Sequence, residues 1–534
     1  MKHRLPYIAI AFLFMLSFVD CAKKGSPTGG LKDSIPPQIV KSVPENYTTD
    51  FTAGEIRIYF NEYIKLKDLR KNLIISPPFK NEAIITPLNV SKTVKVQIQD
   101  TLRENTTYQI NFGKSIVDNN EGNEFEHYKY VFSTGSYIDS LKLRGRVRDG
   151  LLPKLDKPTT VLLYAQNETY IDSIIYKEKP TYITNVQDST QTFEFTNLKE
   201  GSYRLIALQE PSQDYIFTPR SDKMGYIERY VALPTDSLYE ISLFKETPAY
   251  TLAKPKHETK HHIVFGYSGK PDSLAIKPLS AVPQGFEARI LKDPKKDTLH
   301  YWYKPAVESD SLVFEVSNGA LRDTVTAKLR KLFADSLKIS IKKTGNYIPR
   351  DTLKIVANAP LGTINNENIK ITERDSIPVA FSTRLDKTKN EVAVIFNRAE
   401  SEKYSISVYP RALTDFFGQV NDTLRANIRT KAISDYGTLR LTLQNVRSFP
   451  ITVQLTDTDN RLVVEDTLLE NRQVYFDYLL PNAYNLRVIY DANANGIWDT
   501  GSFLENRQPE TVVYFPEIID VRANWDWEKT FRLK

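Results

Sequence analysis

The residues with the most suggestive spacing for metal chemistry lie in the run DANANGIWDTG, which begins at residue 491. Oxygen-bearing groups recur there at alternate positions, and Gly496 allows a sharp turn between them. The candidate ligands are Asp491, Asn493, Asn495, the carbonyl of Ile497, and Asp499. This spacing directs oxygens at a hard cation in EF-hand-type loops. The twelfth position, normally a bidentate glutamate, is Ser502, and Glu505 is the nearest substitute. The run predicts a structural Ca²⁺ site, with a metal-free Asx-rich turn as the alternative.

A weaker version of the same pattern begins at residue 210, in the run EPSQDYIFTP. Glu210, Ser212 and Asp214 stand at positions that match the first three oxygen-bearing residues of the later run. Pro211 and Thr218 depart from the pattern, so the sequence favours a turn without metal here.

The run HETKH at residues 257–261 has the H-E-x-x-H spacing of zinc peptidases. In those enzymes both histidines lie one helical turn apart on one face, and the glutamate acts as general base. Here Pro255 precedes the run and HHIVFGYSG continues it as a strand pattern, so no helix is expected. His257, Glu258 and His261 are therefore interpreted as part of a polar linker. A zinc hydrolase is kept only as an alternative.

Other catalytic signatures are missing from the sequence. No phosphate-binding glycine loop occurs, and GYSGK at residue 266 lacks the second glycine of G-x-S-x-G. The only cysteine is Cys21. The chain is thus predicted not to be an enzyme. Four tryptophans leave open an alternative, an array of carbohydrate-binding modules: Trp302, Trp498, Trp525 and Trp527.

The start of the chain is typical of an exported lipoprotein. Residues 1–20 combine a basic beginning with an apolar run that is too short to span a bilayer comfortably, as in a signal peptide. Cys21 follows directly and is predicted to carry diacylglycerol and acyl chains, which anchor a protein without a membrane helix. Asp20 departs from the small residue usual at that position, and the alternative is an incidental cysteine near a cleavage site. Residues 21–37 are predicted to be a tether.

Composition indicates an exported all-β protein. Removing residues 1–20 changes the formal charge from +6 to +5, because Lys2, Arg4 and Asp20 are lost, and no basic cluster suggests nucleic-acid binding. With one cysteine, the chain forms no internal disulfide. Tyr (30) and Phe (26) are abundant and Met (3) is scarce, which suits pleated sheets. The length suggests about three to five domains.

Residues 38–137 show short alternating strand patterns, including IYFNEYI, TTYQINFG and YVFSTG. With PPQIVKSVPENYT and LRENTTYQINFGKSIVDNNEGN, these runs resemble the bacterial Ig-like domain of the SbsA type. The resemblance extends to lipoproteins of the Bacteroidetes group, whose N-termini carry a similar CAxxGxPTGG run. It implies a β-sandwich in a lipid-anchored envelope protein.

Residues 138–246 contain QTFEFTNLKEGSYRLIALQE, which resembles the transthyretin-like, carboxypeptidase-regulatory type of sandwich. The resemblance implies that Tyr203, Leu205 and Ala207 point inward. Residues 247–344 are predicted to be a β-sandwich of uncertain type.

The last two predicted domains repeat earlier ones. A shift of 297 places Ile56 and Ile58 on Leu353 and Ile355, Asn61 on Asn358, and Asp118 on Asp415, so residues 345–432 are interpreted as a second Ig-like domain. A shift of 281 places GSYRLIALQE on NAYNLRVIYD, so residues 433–534 are interpreted as a second transthyretin-like domain.

These features favour a non-catalytic outer-membrane lipoprotein that binds or scaffolds other envelope proteins, and that serves as an accessory subunit of an assembly or transport complex. Tandem β-sandwich domains would display loops and edge strands on a lipid tether. The sequence leaves open which face of the membrane carries the anchor, and glycan binding stays an alternative.

Overall fold

The structure is a computed structural model that describes residues 33–187 and 189–533. These residues form two compact units, the first comprising residues up to 142 with 181–184 and 195–200, and the second comprising the rest. The predicted signal peptide and Cys21 lie outside the described residues, as does most of the tether. Almost all regular structure is strand, which confirms the predicted all-β class of tandem β-sandwich domains.

The first sandwich has sheets ordered β1-β2-β5-β4, with β7 also paired to β2, and β3-β6-β8. Alternate residues of its long strands are buried, as a sheet with one face on a core requires. Its strands are β1 (Ile39–Val43), β2 (Glu55–Leu66), β3 (Ile74–Ser76), β4 (Ile84–Thr86), β5 (Val90–Gln97), β6 (Thr107–Asn111), β7 (Ile116–Asp118) and β8 (Lys129–Ser133).

The second sandwich has sheets ordered β11-β10-β13-β14, with β15 also paired to β13, and β12-β9-β16. The predicted inward residues Tyr203, Leu205 and Ala207 are buried. Its strands are β9 (Leu141–Asp149), β10 (Thr160–Ala165), β11 (Tyr182–Asn185), β12 (Thr192–Leu198), β13 (Gly201–Gln209), β14 (Lys223–Tyr226), β15 (Val231–Leu233) and β16 (Leu238–Leu243).

The third sandwich has sheets ordered β17-β19-β22-β21, with β18 also paired to β19, and β20-β23-β24. Phe265, Tyr301 and Phe314 lie at the centre of its core. Its strands are β17 (Thr251–Leu252), β18 (Lys256–Thr259), β19 (His262–Ser268), β20 (Leu274–Pro278), β21 (Glu287–Lys292), β22 (Thr298–Lys304), β23 (Ser311–Asn318) and β24 (Leu321–Lys328).

The fourth sandwich has sheets ordered β25-β27-β31-β30 and β26-β34-β32-β29, with the pair β28-β33 beside them. Because β25 pairs with β27, this sheet begins before the predicted start at residue 345. Its strands are β25 (Ile339–Ile341), β26 (Gly345–Tyr347), β27 (Leu353–Ala357), β28 (Leu361–Ile364), β29 (Ile369–Thr372), β30 (Ser382–Asp386), β31 (Glu391–Ile395), β32 (Lys403–Val408), β33 (Leu413–Asp415) and β34 (Leu424–Thr430).

The fifth sandwich has sheets ordered β37-β36-β39-β40, with β41 also paired to β39, and β38-β35-β42. Its core holds aliphatic side chains with Tyr484, Phe476 and Phe531. Its strands are β35 (Gly437–Gln444), β36 (Ile451–Thr456), β37 (Leu462–Leu468), β38 (Val474–Leu479), β39 (Asn482–Tyr490), β40 (Val512–Tyr514), β41 (Ile519–Val521) and β42 (Asp526–Arg532).

Helices among the described residues are short. They are α1 (Leu69–Asn72) and the 3₁₀ turns Asp172–Tyr176, Asn366–Asn368, Arg374–Ser376 and Ile433–Asp435. Within residues 33–187 and 189–533, none of them has the length and apolar character needed to traverse a bilayer.

The fourth sandwich repeats the strand pairing of the first at the predicted shift of 297. Asn61 Oδ1 accepts a hydrogen bond from the backbone N–H of Gln38 at 2.8 Å, and Asn358 Oδ1 accepts one from Lys338 at 2.7 Å. Asp118 and Asp415 each end a short strand and accept backbone N–H groups of the turn that follows. The corresponding residues therefore make corresponding hydrogen bonds in the two sandwiches.

The fifth sandwich repeats the second strand for strand. In both, a three-stranded sheet pairs its first and last strands in parallel: β9 with β16, and β35 with β42. In both, the long strands β13 and β39 each pair with four-residue or shorter strands near their two ends. These two long strands correspond at the predicted shift of 281.

Candidate functional site

The candidate metal loop begins where β39 leaves the core of the fifth sandwich. Tyr484, Leu486 and Val488 alternate into that core, so the strand is held firmly and delivers Asp491 at its end. Asp491 is itself buried, and its backbone N–H donates to the carbonyl of Pro450 at 3.2 Å. The first predicted ligand is thus placed by the sheet, not by the loop.

The predicted ligands converge within the loop. Asp491 accepts hydrogen bonds from the backbone N–H groups of Asn495 at 3.1 Å and Gly496 at 2.8 Å. Gly496 has a φ of 78°, which favours glycine because it lies in the left-handed region. The side-chain amides of Asn493 and Asn495 both reach Asp499 Oδ2, at 2.5 and 2.6 Å. Amide oxygens and nitrogens exchange places by a flip, so these side chains can also present oxygen inward.

Glu510, rather than Glu505, closes the loop. Its Oε1 accepts from the N–H of Ala492 at 2.7 Å, and its Oε2 accepts from the N–H of Asp499 at 3.0 Å. Glu505 instead pairs with Arg507 at 3.2 Å, so the expected substitute is not at the site. Glu510 stands nineteen residues after Asp491. That distance falls outside a twelve-residue pattern, and the sequence carries no signal for it.

The electrostatics of the loop reflect three nearby carboxylates. Burial raises the pKa of Glu510; backbone hydrogen bonds from Asp499 and Ala492 oppose the rise, and the charges of Asp491 and Asp499 add to it. Burial alone would raise the pKa of Asp499. Hydrogen bonds from the amides of Asn493 and Asn495, together with the charge of Lys270, outweigh burial and lower that pKa below its ordinary value. Across residues 33–187 and 189–533, no three His, Cys, Asp or Glu side chains are grouped as a metal ion would require. A cation here would depend on the asparagine oxygens and the Ile497 carbonyl.

The loop also ties the fifth sandwich to the second inside the second compact unit. Thr500 Oγ1 donates to the carbonyl of Lys245 at 2.7 Å, and the N–H of Phe503 donates to the buried carboxylate of Glu246. The ring of Phe503 meets the ring of Tyr226 edge-on at 5.0 Å. These contacts join the fifth sandwich to the end of the second, and the sequence pattern did not predict them.

The equivalent loop of the second sandwich is closed on itself. Glu210 accepts hydrogen bonds from Ser212 Oγ at 2.7 Å and from the N–H groups of Tyr215 at 2.8 Å and Asp214 at 3.3 Å. Burial is the main reason that the pKa of Glu210 rises to about 7. The hydrogen bonds of the Glu210 carboxylate are made within its own loop, so this loop is interpreted as a structural turn.

The HETKH run forms a β-hairpin instead of a helix. His257 lies in β18, where its Nδ1 accepts from the N–H of Arg330 at 3.0 Å, and Glu258 pairs with Lys256 at 2.6 Å. The His261 ring packs near Phe417 at 5.1 Å. The arrangement of two histidines on one helical face with a free glutamate between them is therefore not formed by these residues.

The adjacent His262 belongs to a packed aromatic cluster. Its ring lies flat on Trp302 at 3.8 Å, and its Nε2 is 2.9 Å from Nδ1 of His300. Burial, with a contribution from His300, lowers the pKa of His262 to about 3. Trp302 belongs to the core cluster of the fourth sandwich, so the stacked pair lies where the third and fourth sandwiches meet.

The four tryptophans differ in exposure. Trp302 is buried, Trp498 and Trp527 are half-buried, and Trp525 is 51% exposed. Trp525 and Trp527 contact each other at 5.7 Å at the start of β42. Only Trp525 presents most of its ring to solvent, so the four do not form one continuous sugar-stacking surface.

Comparisons with known proteins give one family match and several remote structural matches. Residues 33–134 match the family model described as a bacterial Ig-like domain, which confirms the predicted Ig-like domain. Among solved structures, domains 1–6 of surface layer protein SbsC are 13% identical, with 91% of this chain and 67% of that chain covered and a TM-score of 0.17. The Bacillus anthracis TIE protein is 12% identical, with 98% and 78% covered and a TM-score of 0.13. No curated protein matches the chain significantly. The chain is a series of β-sandwiches that carries a bacterial Ig-like domain at residues 33–134.

Proposed function

We propose that this protein is a non-catalytic binding or scaffolding component of a bacterial cell envelope. One observation carries the proposal: the described chain commits its apolar side chains to separate sandwich cores, and its one run with catalytic spacing folds as a hairpin with Glu258 neutralised by Lys256. Loops and edge strands on such sandwiches are surfaces for contact with other proteins. The finer version places the chain in an outer-membrane assembly or transport complex.

We further propose that Cys21 is lipidated and anchors the chain to the outer membrane. Support comes from the apolar run before it and the Gly- and Pro-rich residues after it. Mass spectrometry of the N-terminal peptide should show the added diacylglycerol and acyl mass. A Cys21→Ala variant that fractionates with membranes as the native protein does would contradict anchoring at this residue.

The second and fifth sandwiches are proposed to be transthyretin-like. Their shared strand order supports this, as does the Leu-x-x-Gly turn that leads into β13. The two domains would then display matching loops at the end of the same long strand.

The binding proposal is tested by crosslinking in cells, followed by capture of the full chain and identification of what is attached. Specific envelope proteins should be recovered, and fewer should be recovered from cells expressing Cys21→Ala. Recovery of the chain alone, under conditions that preserve other envelope complexes, would refute the scaffold role.

We also propose that the Asp491 loop takes a structural Ca²⁺. The approach of Glu510 favours this proposal, since the charges of Asp491 and Asp499 make ionisation of Glu510 more costly and help to raise its pKa, and a cation would offset that repulsion. Calorimetric titration of the full chain with Ca²⁺ should show one weak site. Identical heats from the native chain and an Asp499→Asn variant would exclude this loop.

A further inference from the structure

An open cleft lies beside the Asp491 loop, wholly inside the second compact unit. Its volume is about 1240 Å³, which is larger than the roughly 300–1,000 Å³ of most small-molecule clefts and leaves room for an oligomeric ligand. The end of the second sandwich, the third sandwich and the loop of the fifth each supply part of its wall. The side chains that matter for recognition are Arg220, Lys245, Lys270, Lys292, Tyr267 and Trp498.

Four cationic side chains line the cleft, against three acidic ones. Arg220, Lys245 and Lys292 are exposed, and no ion pair to any of the three occurs among the described residues. Of the acids in the cleft, Glu246 and Asp499 already accept hydrogen bonds from protein groups. Asp297 is the third acid. The cleft therefore offers positive charge to a ligand.

The cleft also offers an aromatic wall and hydroxyl groups. The indole N–H of Trp498 donates to the carbonyl of Glu510 at 3.0 Å, which fixes the ring that lines the cleft. The hydroxyls of Thr251 and Ser268, 2.6 Å apart, also line the cleft. An aromatic ring suits the apolar face of a sugar, hydroxyls suit its hydroxyls, and Arg or Lys suits a carboxylate.

We propose that this cleft binds an acidic saccharide, with its carboxylates toward Arg220, Lys245 and Lys292 and a sugar ring against Trp498. The hydroxyl pair and the aromatic wall favour a saccharide over an acidic peptide, because the edge strands β17 and β21 supply only Thr251, Leu252 and Lys292 to the cleft. This inference is independent of the scaffold role and of Ca²⁺ at the loop, so either of those proposals can fail without affecting it.

The test uses the full chain and trigalacturonic acid, a carboxylated trisaccharide, with neutral maltotriose as the matched control. Calorimetry should detect binding of the acidic probe, and the fluorescence of Trp498 should change on binding. Maltotriose should bind at least about tenfold more weakly, since it lacks the carboxylates that the cations would meet. A tetraglutamate peptide serves as the probe for the rejected class. Stronger binding of that peptide than of trigalacturonic acid would overturn the proposal.

Variants locate the site. The Arg220→Gln/Lys292→Gln pair should weaken trigalacturonic acid binding by about tenfold or more, because two charges facing the carboxylates are removed. Lys277→Gln removes one positive charge on the third sandwich outside the cleft, and should bind like the native chain. Trp498→Phe keeps an aromatic ring and should retain part of the affinity. Absence of binding at millimolar probe, or equal weakening by Lys277→Gln, would exclude the cleft as an acidic-saccharide site.

Discussion

The second and fifth sandwiches share one strand plan but use the loop after their longest strand in different ways. In the second, β13 leads into a short turn in which Glu210 accepts its hydrogen bonds from neighbours in the same turn. In the fifth, β39 leads into a long loop that is held by Glu510 and then reaches the end of the second sandwich through Thr500 and Phe503. The two domains share one order of strands, whereas loop length decides what each domain contacts.

The largest expected effect comes from Phe503, the residue that most clearly separates the two loops. Phe503 is 2% exposed and packs on Tyr226, so a Phe503→Ala variant leaves a cavity where two sandwiches meet. We expect the free energy of unfolding of the second unit to fall by about 3 to 5 kcal/mol. Urea unfolding measures this loss.

The neighbouring Leu504 is a matched control because it is 60% exposed. Leu504→Ala should change the same transition by no more than about 0.5 kcal/mol. If both variants had the same stability, the loop would not join the two sandwiches, and the contrast with the second sandwich would disappear.

The next effect is a difference in response to Ca²⁺. If the Asp491 loop binds the ion, saturating Ca²⁺ at about a hundred times the dissociation constant stabilises the folded chain by about 2.7 kcal/mol. Thermal unfolding with Ca²⁺ and with a chelator measures the shift in Tm. Asp499→Asn should abolish the shift, whereas Glu210→Gln, in the self-satisfied loop, should leave it intact. A shift lost in Glu210→Gln instead would reverse the assignment of the two loops.

Periodicity and repeats made the sheets predictable from sequence. Alternate residues of a strand face opposite sides of the sheet, so burial of one side gives an apolar residue at every second position. This pattern marks four residues that the structure buries: Ile56, Ile58, Leu353 and Ile355. The order of strands in the fifth sandwich follows from its likeness to the second. The two sequence repeats therefore predicted which domains share a strand order, although tertiary contacts were not considered.

The candidate site was predictable only in part, because its contacts are distant in sequence. Asp491, Asn493, Asn495 and Asp499 follow from local spacing, and the structure brings them together. Glu510 and the partners Glu246 and Tyr226 were not predictable, since no local pattern links residues that the fold joins across domains. The HETKH run shows the converse: its spacing has chemical meaning only on a helix, and Pro255 and the strand pattern after it prevent one.

A smaller effect depends on pH and belongs to the second sandwich. Burial raises the folded-state pKa of Glu210 to about 7, above its ordinary value of 4.5. Proton uptake by Glu210 therefore favours the folded state below about pH 4.5, and this contribution is lost as the pH rises through 7. The Glu210→Gln variant cannot ionise at this position. Relative to it, the free energy of unfolding of the native chain should fall by about 1 to 2 kcal/mol between pH 5 and pH 8. Parallel stability curves for the two proteins across this range would show that Glu210 ionises normally.

The smallest effect tests how the fifth loop meets the third sandwich. Lys270 Nζ lies 3.6 Å from Asp499 Oδ1, but the lysine side chain is 67% exposed, so Lys270→Gln should change stability by no more than about 1 kcal/mol. Even that change should fade at 1 M salt, where the screening length is only about 3 Å.

The same substitution has a more informative consequence for Ca²⁺. A lysine beside Asp499 repels a cation at the loop, so Lys270→Gln should tighten Ca²⁺ binding slightly in calorimetry. The second sandwich offers the control, because Lys223→Gln removes a cation paired with Asp149 and not with the Asp491 loop, and should leave Ca²⁺ affinity unchanged. Weaker Ca²⁺ binding in Lys270→Gln would mean that Lys270 helps to form the loop, and that Asp499 acts as its ion-pair partner instead of as a metal ligand.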